Sequence, residues 1–366
     1  MVIGYDDLLS FVQLMLPLLR LTQQRNLAWT TLGILQVRDA HLTISEIARA
    51  MTTRSHHWHK FKRLWRFLSN TRWSPAACSG ALLRFLLSRW RIGHYLPLII
   101  DQSTIAGRWE VLWASVPFRG RALPVYCQLF CAADINAVAD GSQNKFEEQF
   151  LSALLALIPA AIKPLLLFDR GYARVPLMQW LQERPVHYVI RVCKETWVRY
   201  RRYQGPLAAV KVRRGELLWW PRARYQLKTA YPVNIAISLN ATAEEPWYLV
   251  TNLRRADSTV SWYERRFHCE EMFKDVKDQL HLETIRTQNR ERVERLLFAV
   301  MVTYYALTLI GLAAQRAGYR PHVCRYRVSA PWLALRLLFM PHLLKPRMVR
   351  RALLTSSWSL SYRESG

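Results

Sequence analysis

Acidic residues are scarce in this chain of 366 residues. Only 26 aspartate and glutamate residues stand against 52 lysine and arginine residues, so the formal net charge is +26 and the sequence pI is about 10.4. Between Arg49 and Ile100 there is no acidic residue at all. A cationic balance this large says nothing about the fold, but it indicates a polyanionic partner, and nucleic acid fits best.

The cysteine spacing of a structural metal site is also absent. None of the six cysteines forms a C-x-x-C pair. Cys127 and Cys131 lie on a predicted strand, where four residues span about 13 Å. We therefore expect reduced packing residues of a cytoplasmic protein and no structural zinc. The pattern of a signal peptide is missing as well.

A stretch without charge needs an interpretation of its own. Leu296 to Ala314 is nineteen residues long, which could just span a bilayer. It contains Thr303, Tyr304 and Gly311 and follows a highly charged helical stretch. We expect a buried core helix, with a membrane span as the alternative, and hence no membrane partner.

The first 92 residues have helical periodicity. Thr43-Ile-Ser-Glu46 is a capping box, and a second helix with apolar residues at helical spacing is predicted from Thr53 to Leu68. Two short helices with a basic second one suggest a helix-turn-helix-like DNA-binding unit; the alternative is an amphipathic bundle with a solvated basic face. The candidate DNA contacts are Lys60, Lys62, Arg63 and Arg66.

Two apolar runs further along the chain each end in an aspartate. Leu96 to Asp101 and Pro164 to Asp169 both read as buried strands. An acid at the carboxyl end of such a strand is where open α/β sheets place their active sites. The predicted order over this region is β-β-β-α-β-α-β. A single aspartate of this kind is as often a cap or a turn residue.

A third acid belongs to a mixed set on a predicted helix. Tyr263, Arg266, Glu270 and Lys277 have offsets of 0, +3, +7 and +14, which fall within an arc of about 60° on a regular helix. A carboxylate flanked by two cations and a phenol suits a site that acts on a phosphodiester. The alternative is a solvated face of mixed charge, as Asp278 on the same stretch exemplifies.

These residues resemble a known family. Tyr263, Arg266, Glu270 and Lys277 match the Tyr-x2-Arg-x3-Glu-x6-Lys motif of the insertion sequence four family of bacterial transposases. The resemblance extends from about residue 40 to 315. It implies that Asp101, Asp169 and Glu270 are a catalytic triad that binds two Mg²⁺ ions, for which Mn²⁺ can substitute. It implies double-stranded DNA as partner, both transposon ends and target, and a homodimer in the DNA complex.

The expected fold class is α/β, with a ribonuclease H-like mixed sheet and flanking helices. We expect a helical DNA-binding domain at 1–92, a catalytic core at 93–193 and 253–318, a β-rich insertion at 194–252 and a basic helical region at 319–366. Trp247, at the end of the insertion, is a further DNA-binding candidate because related hairpin-forming transposases stack a tryptophan on a flipped base. A core residue is the alternative.

The resulting functional prediction is a metal-dependent cut-and-paste transposase of a bacterial cytoplasm, associated with the nucleoid. It would cleave a 3′ end, form a hairpin and transfer the strand to target DNA. One alternative is a nuclease or recombinase on the same core that cuts without joining. The other is a DNA-binding regulator whose core is not catalytic.

Overall fold

The computed structural model describes residues 2–37, 41–89, 95–137, 142–240, 243–324, 326 and 328–355. Its helices are α1 (Tyr5–Met15), α2 (Leu21–Gln36), α3 (Ile44–Ala50), α4 (His57–Leu68), α5 (Pro75–Arg89), α6 (Ala132–Ala137), α7 (Gln143–Ala156), α8 (Val175–Gln182), α9 (Ala256–Glu264), α10 (His268–Lys274), α11 (Arg290–Arg316), α12 (Ala330–Leu337) and α13 (Pro346–Leu354). Its strands are β1 (Leu96–Ile105), β2 (Trp109–Phe118), β3 (Arg121–Phe130), β4 (Pro164–Phe168), β5 (His187–Arg191), β6 (Trp197–Tyr200), β7 (Tyr203–Pro206), β8 (Leu217–Tyr225), β9 (Tyr231–Ser238) and β10 (Trp247–Thr251).

All ten strands belong to one mixed sheet, in the order β3-β2-β1-β4-β5-β10-β9-β8-β6-β7. The first three strands form an antiparallel meander, and β4 and β5 then add in parallel beside β1. All of β4 and the middle of β5 are buried, as expected for parallel strands that are covered on both faces. The predicted ribonuclease H-like α/β fold is confirmed.

The β-rich segment between Asp169 and Glu270 continues this same sheet. Strand β10 pairs antiparallel with β5, and β9, β8, β6 and β7 follow outward from it. Aromatic side chains pack on the extension, with Trp220 stacked on Tyr200. The insertion is therefore joined to the core by main-chain hydrogen bonds across β5 and β10.

Helix α11 is the central helix of the core. Its apolar stretch is long enough to cross a membrane, yet 94% of that stretch is buried inside the protein. The hydroxyl groups of Thr303 and Thr308 donate to carbonyls one turn earlier, and Tyr305 donates to Pro124 O. These internal hydrogen bonds explain how polar side chains are tolerated in a buried helix.

Helices α1 to α5 precede the sheet. Half of the predicted capping box at α3 forms: Thr43 Oγ1 accepts from the Glu46 amide, whereas the Thr43 amide donates to the His41 carbonyl and not to the Glu46 side chain. On α4 only Leu64, Phe67 and Leu68 are buried. Trp58 and Trp65, which have the same helical spacing in the sequence, are 52% and 40% exposed.

Candidate active site

The two aspartates lie side by side on neighbouring strands. Strands β1 and β4 run parallel with Ile100 opposite Phe168, and Asp101 and Asp169 are the next residue of each. Asp169 follows β4 directly and accepts a hydrogen bond from the Gly171 amide at 2.9 Å. The paired strands thus bring together two acids that are 68 positions apart in the sequence (169 − 101).

Asp101 does not mark the end of its strand, as the apolar run suggested. Strand β1 continues to Ile105 because its antiparallel partner β2 outlasts β4, and Asp101 itself pairs with Trp113 of β2. The aspartate follows only the parallel part of the strand. Its side chain is consequently held from several sides and is 17% exposed.

The segment that carries Glu270 is not one regular α-helix, and that prediction is wrong. Helix α9 tightens into a 3-10 turn over Arg265–Phe267, resumes as α10 and then widens into a π-helical turn over Asp275–Gln279. Each change of pitch alters the rotation per residue, so the arc calculated for a uniform helix does not apply to this segment. Arg266 and Lys277 nevertheless both make hydrogen bonds to residues of β1.

Arg266 joins the first aspartate to the glutamate. Its Nη1 lies 3.2 Å from Asp101 Oδ2, and its Nη2 lies 2.5 Å from Glu270 Oε1. The arginine side chain is only 9% exposed, while that of Glu270 is 47% exposed. One buried guanidinium therefore neutralises two of the three candidate acids, which is how a buried charge is normally satisfied.

The surroundings of Asp101 set its protonation chemistry. Burial raises the pKa of Asp101, and the nearby Asp169 adds to this effect; hydrogen bonding from Cys269 and the charge of Arg266 oppose it. The Cys269 thiol lies 3.0 Å from Asp101 Oδ2, and burial raises the pKa of that thiol well above its ordinary value. Cys269 is therefore a neutral donor to the carboxylate.

Two other members of the motif make structural contacts. Tyr263 is fully buried, and Trp247 packs edge-on against its ring at 5.3 Å between centroids. One face of Trp247 is covered by Phe267 at 5.6 Å. Lys277 donates to the Thr104 carbonyl at 2.9 Å and pairs with Glu283, so it ties the end of β1 to the π-helical turn.

A fourth carboxylate, absent from the sequence prediction, lies beside this group. Glu147 of α7 is buried and forms an ion pair with Arg174, which also donates to the Gly171 carbonyl. Burial raises the pKa of Glu147, with Asp169 contributing. Its spacing from Phe146, Phe150 and Leu151 places it on the buried face of α7. A charged residue among apolar residues of one helix face was the feature of the sequence that could have identified it.

The donor set can be tested for a divalent cation. Among the residues described, no three histidine, cysteine, aspartate or glutamate side chains are gathered closely enough to hold a metal ion. Arg266 explains this, because it stands between Asp101 and Glu270. The chemistry nevertheless fits, since three carboxylates are the hard oxygen ligands that Mg²⁺ prefers. Among the described residues, the buried Tyr172 hydroxyl has no hydrogen-bond partner, and burial together with the nearby carboxylates raises its pKa.

The predicted DNA contacts of α4 lie on different sides of the helix. Lys60 Nζ donates to the Met51 carbonyl at 2.6 Å. Lys62, Arg63 and Arg66 instead face a groove of about 690 Å³ between α2 and α4. The groove is lined by Thr22, Arg25, Asn26, His59, Lys62, Arg63, Arg66, Phe67 and Asn70. It contains no carboxylate, so it is a positively charged surface of the helical domain.

Comparison with known proteins bears on the family of the chain. Residues 128–306 match the family model described as transposase DDE domain. No curated protein matches the chain. The matched region contains Asp169 and Glu270, and it leaves the insertion sequence four subgroup as a prediction. DDE transposases are enzymes that act on DNA. The match covers slightly less than half of the chain, and together with the sheet order it supports a DDE transposase.

Proposed function

We propose that the protein catalyses Mg²⁺-dependent cut-and-paste transposition with Asp101, Asp169 and Glu270 as its catalytic acids. The observation that carries this proposal is the convergence of the two aspartates of neighbouring strands with the Arg266–Glu270 pair at one place on the sheet. When bound, two divalent cations would activate the attacking hydroxyl and stabilise the leaving oxygen. Mn²⁺ would substitute for Mg²⁺.

The residues of the helical segment would hold the DNA strand. Withdrawal of Arg266 from Asp101 and Glu270 frees both carboxylates and leaves a guanidinium that can bind a phosphate in a bidentate manner. Lys277 would bind a second phosphate near the end of β1. The Tyr263 ring, whose centroid lies 6.0 Å from the Arg266 guanidinium carbon, would support that arginine. Trp247 would contact a flipped base through the ring face that Phe267 leaves free.

The helical domain would bind the transposon end. The basic groove formed by Lys62, Arg63 and Arg66 suits a phosphate backbone. Lys60 would join them only after leaving the Met51 carbonyl. Two protomers would pair the two ends, so we propose a homodimer on DNA. The protein would act in the bacterial cytoplasm on nucleoid DNA.

A strand-transfer assay distinguishes transposition from simple cleavage. We expect purified protein with Mg²⁺ to join a pre-cut transposon end, carrying a free 3′-hydroxyl, to a supercoiled target plasmid. Joined products would be measured on a gel, with an end that terminates in a 3′-dideoxynucleotide as the control that cannot react. Cleavage without any joining would favour the nuclease alternative, and binding without either reaction would favour the regulator.

The Glu147–Arg174 pair would position Asp169 from behind. Arg174 links Glu147 on α7 to the Gly171 carbonyl, and the Gly171 amide in turn donates to Asp169. Glu147 also accepts from Gln143 at 2.9 Å, so each of its oxygens is already held by a side chain of the protein. Its role is therefore to hold the loop that orients the aspartate.

We expect Glu147→Gln to reduce cleavage by about 10- to 100-fold, the usual effect of losing a group that orients a ligand. DNA affinity should not change, and the apparent Mg²⁺ requirement should rise. The control is Glu148→Gln, which disrupts the neighbouring ion pair with Lys145 on the same helix and should retain activity within about twofold. An unchanged Mg²⁺ titration for Glu147→Gln would contradict the positioning role.

A further inference from the structure

The molecule has a second concave surface with a concentration of positive charge. A cleft of about 840 Å³ lies between the tip of the β2–β3 hairpin, the last turns of α11 and the beginning of α12. Arg119, Arg121 and Arg320 line it, together with Gln315 and Ser329. The volume is in the range of known ligand sites, and the cleft plays no part in the chemistry described above.

The charge of the cleft is not balanced locally. From Arg295 to Arg363 the chain contains no aspartate or glutamate. Within the part of the chain that the structure describes, neither Arg119 nor Arg320 has an ion-pair partner, whereas Arg121 is engaged by Glu271 and Asp275. Two of the three arginines in this concave surface are therefore not neutralised by a carboxylate. Such a surface attracts anions.

Two local features support a binding role. Arg119 and Gly120 form the hairpin turn with φ of 47° and 79°, a conformation for which Asn-Gly or Asp-Gly is the usual choice. An arginine in this left-handed conformation is less favourable than an asparagine or aspartate, but it places a cation at the cleft. Burial and the neighbouring Arg119 lower the pKa of Arg316, which indicates that like charges have been brought together.

The cleft is also connected to the segment that carries Glu270. Arg121 binds Glu271, the adjacent residue of α10, at 3.1 Å and the buried Asp275 at 2.9 Å. Because Glu270 and Glu271 are successive on α10, one is directed to Asp101 through Arg266 and the other to the wall of the cleft. A nucleic acid that lies along α10 would therefore reach both the candidate active site and the cleft.

We propose that this cleft binds the phosphate backbone of a DNA segment outside the point of cleavage, through Arg119 and Arg320. The proposal rests on the proposed function, since it takes DNA as the ligand. It adds a second contact region, formed by the hairpin tip and the C-terminal part of the chain. Backbone binding of this kind is independent of sequence and depends strongly on salt.

The test is the salt dependence of DNA binding by the double variant Arg119→Gln/Arg320→Gln. Fluorescence anisotropy would measure the affinity of the whole protein for a labelled 40-base-pair duplex of arbitrary sequence between 50 and 200 mM KCl. Each lost phosphate contact should reduce the slope of log K against log salt by about 0.9, so we expect a reduction of nearly 2. The matched control is Lys228→Gln/Arg254→Gln, which removes two exposed cations elsewhere and should leave the slope within about 0.3 of wild type.

An unchanged slope for the cleft variant, or one equal to that of the control, would overturn the proposal. A second result would also overturn it. If inorganic phosphate or a mononucleotide raised the melting temperature of the wild-type protein but not of the cleft variant, and the salt slope of the variant were unchanged, the cleft would bind a small anion and not DNA. Cleavage by the wild-type protein is measured in parallel. Absence of cleavage contradicts the proposed transposase chemistry alone, and an unchanged slope in a protein that cleaves contradicts the cleft alone.

Discussion

Asp101→Asn, Asp169→Asn and Glu270→Gln should each lose Mg²⁺-dependent DNA cleavage by about 10³-fold or more. Each change removes a negative charge from the proposed cation site, and a thousandfold loss corresponds to about 4 kcal/mol of transition-state stabilisation. DNA affinity should remain, because phosphate binding is assigned to other residues. A gel assay with labelled transposon ends measures cleavage, and anisotropy measures binding.

The matched control for these variants is Asp278→Asn. Asp278 lies on the same segment as Glu270 but is exposed, so its loss should leave cleavage within about twofold of wild type, as for most surface substitutions. Thermal unfolding of each variant separates lost chemistry from lost folding. Full activity in any one of the three acid variants would remove that residue from the catalytic site.

Gly311→Ala should strongly destabilise the protein. Gly311 lies in α11 where α12 begins, and a Cβ there would come within 1.7 Å of the Ala330 carbonyl oxygen. That atom belongs to the backbone, so α11 and α12 must separate. We expect a loss of about 3 kcal/mol, which should lower the melting temperature of a chain of this length by about 4 °C. Differential scanning calorimetry would measure it.

Gly80→Ala, in a second helix, should raise the stability of the protein. A Cβ at Gly80 in α5 would lie 3.4 Å from Leu157 Cδ2 and 3.5 Å from the Arg84 guanidinium, an ordinary contact. The change should therefore stabilise the protein by about 0.5–1 kcal/mol through the better helix propensity of alanine. Equal melting temperatures for the two variants would show that α11 and α12 are not packed as closely as described.

Periodicity was sufficient to predict most of the core from the sequence. The apolar runs that end at Asp101 and Asp169 are neighbouring strands and are buried, as their composition predicted. The uncharged stretch of α11 was correctly assigned to the core, since its hydroxyl groups have partners within the helix or on β3. Strong local patterns of this kind survive folding with few changes.

The remainder depended on contacts between distant residues. No spacing in the sequence announces the change of pitch around Arg265–Phe267. The role of Arg266 as the partner of both Asp101 and Glu270 needs the β1 register. The exposure of Trp58 and Trp65 could not be inferred either, because their spacing is that of a buried face.

The most direct test of the three-acid site is the location of a bound metal. Crystals of the protein with a transposon-end duplex would be soaked in Mn²⁺, and anomalous diffraction would locate the ions. We predict Mn²⁺ within about 2.2 Å of carboxylate oxygens of Asp101, Asp169 and Glu270, with the Arg266 guanidinium withdrawn from between them. Mn²⁺ bound elsewhere while Arg266 still bridges Asp101 and Glu270 would contradict the proposed site.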